Sequence, residues 1–153
     1  MEIKELINIF EQNFIEYSRV LRKVKKNHSD NSIPQWHDSE ISLEQLAILE
    51  SEIVELRLKK ILKEEHPYIP QINLEKLKQN YLYSNLSIIQ LCDHYLQQKK
   101  EILKLLYSIP AENWDRTGVH EMEGHVAFKE LVRRMVVKDK QILGNFKSTL
   151  KAH

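Results

Sequence analysis

Four charged side chains stand on or beside the apolar stripes of helical segments: Glu50, Arg57, Lys99 and Lys138. In "LVRRMVVKDKQILGNF", residues 131–146, the apolar positions Leu131, Met135, Ile142 and Phe146 recur at helical spacing, and Lys138 falls among them. A charge carried inside a protein is costly unless it is paired. These side chains can therefore lie at stripe margins, stems packed and heads in water. The alternative is a charged cluster in one mouth of a helical bundle, such as Glu50 with Lys138. A lysine desolvated there has a lowered pKa and could act as a base or nucleophile.

The 7 histidines raise a different chemistry. "HEMEGH" places His120, Glu121, Glu123 and His125 close together, enough to offer two imidazoles and a carboxylate to a metal ion. Without a third fixed ligand, however, loop histidines ordinarily meet water. His94 lies beside an apolar stripe and reads as a surface or hydrogen-bonded residue, while His28, His37, His66 and His153 fall in connections or at the terminus. The single cysteine, Cys92, sits on a core stripe with Ile88 and Tyr95, where a thiol behaves as a small hydrophobe. No Gly-rich phosphate loop, CxxC pair, HExxH or GxSxG is present.

The elements that would position these residues are helices. Only 3 glycines and 4 prolines occur in 153 residues, which disfavours a turn-rich β fold. Ile3, Leu6, Ile7, Phe10, Phe14, Tyr17, Leu21 and Val24 mark a first helix, broken by "NHSDNSIPQWHDSE" with Pro34. Ser42 and Gln45 have capping-box spacing and open a second, continued by Leu46, Leu49, Ile53, Leu56 and Ile61 and ended near Pro67 and Pro70. A long connection follows, with room for a short helix at "LEKLKQNYL". Ser87 and Gln90 repeat the capping box for a third helix lined by Ile88, Cys92, Tyr95, Ile102, Leu103 and Leu106. A fourth runs from about Ala127 to the end. The expected fold is all-α: one four-helix bundle domain over 1–153, up-down-down-up, with a long crossover between helices two and three. Trp36 and Trp114 fall in connections, where they would cap the bundle or rim a pocket.

Charged residues at 29%, hydrophobic ones at 42% and a net charge of +1 describe an ordinary soluble chain with no global pull towards nucleic acid or membrane. No apolar run is long enough to span a bilayer, and "MEIKELINIF" lacks a signal-peptide core. With its lone cysteine, the chain is expected in the cytoplasm. The basic residues of helix four are interspersed with acids and lack aromatic stacking partners, the pattern of a solvated face.

Three stretches resemble the DinB-like superfamily, which includes DinB proteins and bacillithiol and mycothiol transferases. "ISLEQLAIL" (41–49) is similar to the family's opening of helix two, with Ile41 in a tryptophan place. "IPAENWDRTGVHEMEGHVAFKELV" (109–132) is similar to its third connection, and "KDKQILGNF" (138–146) to its histidine-rich ending. The resemblance implies a metal site of three histidines, one on helix two and an HxxxH pair on helix four, suited to Zn²⁺ or Ni²⁺. Carried over, these positions hold Leu49 (or Leu46, one turn earlier), Lys138 and Ile142, none of which offers a ligand for a metal. Ala127 stands in place of a threonine N-cap, with Glu130 keeping half of its capping box. Lys138 would then replace the cation, countered by Glu50 or Glu52, with Leu49 and Ile142 filling the rest.

The candidate cleft residues are therefore Leu49, Glu50, Lys99, Lys138 and Ile142, with no catalytic residue assigned and no cofactor expected. The leading expectation is a DinB-like protein that has lost the family's metal site and binds a small molecule or a protein partner. The alternative is a metal-dependent hydrolase or bacillithiol-type thiol transferase using Zn or Ni at a non-standard site. A third is an oligomeric module, since the family often pairs bundles into homodimers. Nucleic acid and membrane are not expected partners.

Overall fold

A computed structural model describes residues 1–27 and 42–152. Most of the first connection, including His28, Trp36, His37 and Ile41, lies outside the described residues, as does His153. Helix α1 covers Ile3–Asn27. Helix α2, Leu43–Ser51, continues without a break through a π-helical segment, Glu52–Leu58, into α3, Lys59–Lys63. The short α4 covers Leu74–Lys78, α5 Ile88–Ser108 and α6 Phe128–Ala152. Both capping boxes form as their spacing predicts: Ser42 with Gln45, and Ser87 with Gln90. Asn73 caps α4 by accepting from the amides of Glu75 and Lys76.

Helix direction follows from the contacts. Along α1, Asn13 bonds Val136, Tyr17 bonds Asp139 and Glu16 pairs with Lys147, so α1 and α6 are parallel. Lys25 pairs with Asp93 while Glu11 accepts from Tyr107, so α5 is antiparallel to α1. Gln98 reaches Ala47 and Ser51, and Lys99 reaches Glu50. One core cluster joins Leu43 and Leu46 to Ile88 and Cys92, whereas another joins Val54 and Leu58 to Ile102 and Leu106. Helices α2 and α5 therefore run in the same direction, and the order is up-down-down-up. The long stretch between Lys63 and Ile88 makes this possible, because a parallel neighbour requires the chain to return to its starting end.

Two features depart from the sequence reading. The second helix does not keep one α-helical period. In the π-helical segment the turn widens, which rotates the buried face. Val54, Arg57 and Leu58 become buried and Leu56, expected inside, is exposed. The third connection also forms strands: β2, Thr117–His120, pairs antiparallel with β3, Gly124–Ala127, and parallel with β1, Tyr68–Ile69. Gly124 turns the hairpin at φ +77°, a conformation that costs an L side chain strain. Gly118 lets the strands close: a Cβ there would lie well inside contact distance of the Ile69 side chain. Trp114 is buried edge-on against Phe128, closing that end of the bundle.

Candidate functional site

The interior between the two core clusters is polar. Lys99 on α5 is 1% exposed, and its Nζ lies 2.7 Å from Glu50 Oε2 and 2.7 Å from Asp139 Oδ1. Tyr17 donates its hydroxyl proton to Asp139 Oδ1 at 3.0 Å and accepts from Tyr95 at 3.5 Å. The ammonium also faces the rings of Tyr17, Tyr95 and Phe10, at 5.2, 5.3 and 5.8 Å from their centroids. This network ties all four bundle helices at mid-height.

Its electrostatics decide what it can do. Burial by itself would lower the Lys99 pKa, but Asp139 and Glu50 together outweigh it and hold the group well above the ordinary lysine value. The ammonium keeps its proton, so Lys99 is neither base nor nucleophile. Burial raises the Glu50 carboxyl, against the pull of Lys99 and with a further push from Asp139. Burial likewise pushes up the hydroxyls of Tyr17 and Tyr95. Among the described residues, Glu50 Oε1 and Asp139 Oδ2 are buried without a hydrogen-bond partner.

The sequence reading named two members of this network, Glu50 and Lys99, but paired Glu50 with Lys138. That pairing is corrected here, since Lys99 holds Glu50 and Lys138 is exposed. The physical reason is a rotation of α6. Its buried positions are Val132, Met135, Val136, Asp139, Leu143 and Phe146, with Leu131 and Ile142 only half-buried at the flank. One residue is about 100° of helix, so Asp139 points inward and Lys138 turns towards the neighbouring groove. Asp139 was missed because it reads as one more charge in "KDKQ". Its signal was the spacing from Met135 and Val136 to Leu143. Glu52, the other expected counter-charge, acts on Arg57 instead.

Lys138 stands on the rim of a cleft of about 360 Å³ between the second helical run and α6. Leu49, Ile53, Leu58, Leu131 and Met135 supply its apolar lining, and Arg57, Arg134, Lys138, His120 and Glu123 its polar groups. The structure thus brings Leu49 and Lys138 to one cleft, sends Glu50 and Lys99 to the interior and packs Ile142 on the core cluster that contains Leu143. Arg57, buried, donates to the Pro70 carbonyl at 2.5 Å. Arg134 is held by both Glu123 oxygens at 2.6 and 2.8 Å, and it keeps the Glu123 carboxyl below the usual range.

The spacing of His120 and His125 could have offered two imidazoles to one metal, and strand geometry keeps them apart. Val119 and His125 face each other across the ladder, so His120, the next residue along β2, points to the opposite face. His125 is exposed, edge-on to His66 at 5.5 Å and 3.4 Å from Thr117 Oγ1. Buried His120 accepts the Met122 amide proton on Nδ1 at 3.1 Å, which assigns the ring proton of the neutral form to Nε2. In that tautomer neither nitrogen is free to ligate a metal. Among the described residues no three His, Cys, Asp or Glu side chains converge as a metal site. Leucine, isoleucine and lysine at the positions implied by the resemblance do not make a metal-ligand set either.

The helix order and the long crossover define the class as a four-helix bundle. In particular, the chain is similar in fold to YfiT from Bacillus subtilis, described as a probable metal-dependent hydrolase with an unusual four-helix bundle topology. The TM-score is 0.75 at 11% identity, over 99% of this chain and 87% of that one. No family model matches the sequence, and no curated protein matches it.

Proposed function

We propose that this chain is a small-molecule-binding protein whose cleft takes an organic anion in place of the metal implied by the family resemblance. The observation that carries this reading is the composition of the cleft. Three cations, Arg57, Arg134 and Lys138, stand against one carboxylate, Glu123, around an apolar lining. A carboxylate or similar group would meet Lys138, free N–H groups of the arginines and the Nε2 proton of His120, while its apolar body would cover Leu49, Ile53 and Met135. The volume falls within the range of small-ligand pockets. Among the described residues no helix is long and apolar enough to cross a membrane, and the single thiol is compatible with a reducing cytoplasm.

The test is calorimetric titration of the untagged protein with hexanoate and, in parallel, hexanol. Hexanoate is expected to bind more tightly, and Lys138→Glu to weaken it by reversing the rim charge. Equal binding of the acid and the alcohol would defeat the reading. So would a stoichiometric Zn or Ni content by mass spectrometry, which would favour the second reading, a metal-dependent hydrolase, suggested by the description of YfiT.

A further inference from the structure

Three polar side chains meet on the outer face of the short sheet. Thr117 and Ala127 face each other across the β2–β3 ladder, and so do Val119 and His125. Thr117 and His125 therefore share the face opposite His120, which lines the cleft. The parallel pairing of Tyr68 with Val119, carried two residues back, sets His66 beside Thr117. His66 takes a left-handed conformation there, φ +46°, uncommon for a residue other than glycine and the more so before a proline. Both imidazoles turn the same nitrogen to one oxygen: His66 Nδ1 lies 2.9 Å and His125 Nδ1 3.4 Å from Thr117 Oγ1.

The hydroxyl cannot serve both rings alike. It has one proton to donate, so one Nδ1 accepts it and the other must carry its own proton to bond the same oxygen. A cation set among the three atoms would use a lone pair from each. Zn²⁺ held in a tetrahedron at about 2.0–2.1 Å has ligand atoms about 3.3 Å apart, and two imidazoles sharing it have ring centres about 5 Å apart. The two nitrogen–oxygen distances bracket that edge, and the ring centres of His66 and His125 are 5.5 Å apart. We propose that His66, His125 and Thr117 form a Zn²⁺ site, with two Nδ1 atoms and a neutral hydroxyl oxygen as ligands and water in the fourth position. The ion would pin the long crossover, which carries His66, to the hairpin that carries Thr117 and His125.

Other occupants fit less well. Ca²⁺ and Mg²⁺ take six or more oxygens, and only one is offered here. An anion would need both rings protonated, which sets two like charges against each other. Two exposed carboxylates, Glu64 and Glu65, also precede His66. Arg116, the cation beside Thr117, is committed elsewhere: it donates to the carbonyls of Ile61 and Glu64, each at 2.8 Å. Imidazole suits Zn²⁺ better than it suits hard ions. With no anionic ligand the ion exchanges readily, unlike a cofactor metal retained through purification.

The experiment is a titration of the untagged, ¹⁵N-labelled full chain, first stripped with EDTA, with ZnCl₂, read from the histidine ring nitrogens. MgCl₂ is run beside it. Saturation is expected for Zn²⁺ only, with His66 and His125 both fixed as the Nε2–H tautomer and with His94 and His120 unmoved. His125→Ala, at an exposed position, and His66→Asn, a residue that tolerates the left-handed conformation, should each weaken binding about tenfold or more. Thr117→Val should weaken it less, because the hydroxyl is the poorest of the three ligands. Absence of saturation up to about 1 mM Zn²⁺, a concentration that would reveal even submillimolar affinity, would overturn the proposal. Shifts confined to other histidines, an equal response to Mg²⁺, or binding that survives both histidine substitutions would overturn it as well. None of these outcomes bears on hexanoate binding, because the cleft lies on the other face of the sheet.

Discussion

Replacing Lys99 by methionine tests the interior network most directly. The thioether side chain is close in length, so little packing is lost, but two buried carboxylates lose their shared cation. Removing one partner of a buried ion pair costs about 3–5 kcal/mol, since the remaining charge stays buried and unpaired. Here Glu50 and Asp139 are both stranded at 4% and 2% exposure, so the loss should reach at least the upper part of that range. A domain of this kind has about 5–15 kcal/mol in all. With a urea slope of about 2 kcal/mol/M, the unfolding midpoint should fall by about 2 M at unchanged slope. The sign with pH follows from linkage. A carboxyl whose pKa is raised on folding costs stability above its unfolded value and is relieved as pH falls through its folded value. Glu50 is already raised in the native protein, and losing Lys99 raises it further. The variant should therefore recover part of its deficit on going from neutral to mildly acidic pH, and Lys99→Met combined with Glu50→Gln should recover more. The assay is urea unfolding followed by far-UV circular dichroism at both pH values. A midpoint shift worth less than about 0.5 kcal/mol, the range of ordinary surface substitutions, would refute the reasoning. A deficit that deepens as pH falls would also refute it.

In the native protein, the raised Lys99 pKa gives a stabilising contribution that is complete below the ordinary lysine value and is lost as pH rises through the folded one; alkaline urea titrations should show stability declining above about pH 10. Cys92, whose thiol burial pushes up to about 11, should react with iodoacetamide only at the rate of unfolding, and fast labelling of the folded chain would contradict its place in the core. Ser42→Ala and Ser87→Ala should each cost about 1 kcal/mol in urea unfolding through loss of a capping box. Gly124→Ala should cost about 1–2 kcal/mol, because its φ of +77° is strained for an L side chain, and a neutral result would mean that the hairpin relaxes.

The sequence was informative where chemistry is local. Ser42 with Gln45 and Ser87 with Gln90 mark helix starts because each pair satisfies amides only three residues away. The stripes from Leu6 to Val24 and from Ile88 to Leu106 locate buried faces because a regular helix repeats without help from its neighbours. Lys99 was visible as a charge on such a stripe. The second helix misled because a π-helical segment changes the period, and nothing in "EIVELRL" announces the wider turn. The short sheet was missed because strands of two to four residues carry too little alternation to read.

What the sequence alone determined is therefore the class of fold, the caps, the main core faces and the absence of metal-ligating side chains at the positions the resemblance implies. The tertiary structure decided which charges meet. A rotation of about 100° on α6 exchanges Lys138 for Asp139 on the inner face, and periodicity with several polar residues in a row tolerates either choice. Only the packing of α6 against α1 and α5, where Tyr17 and Lys99 both reach Asp139, selects between them. The same holds for His120 and His125, five residues apart in the chain, which a strand turns to opposite faces. Charge pairing depends on distances between elements, and those distances exist only once the helices are packed.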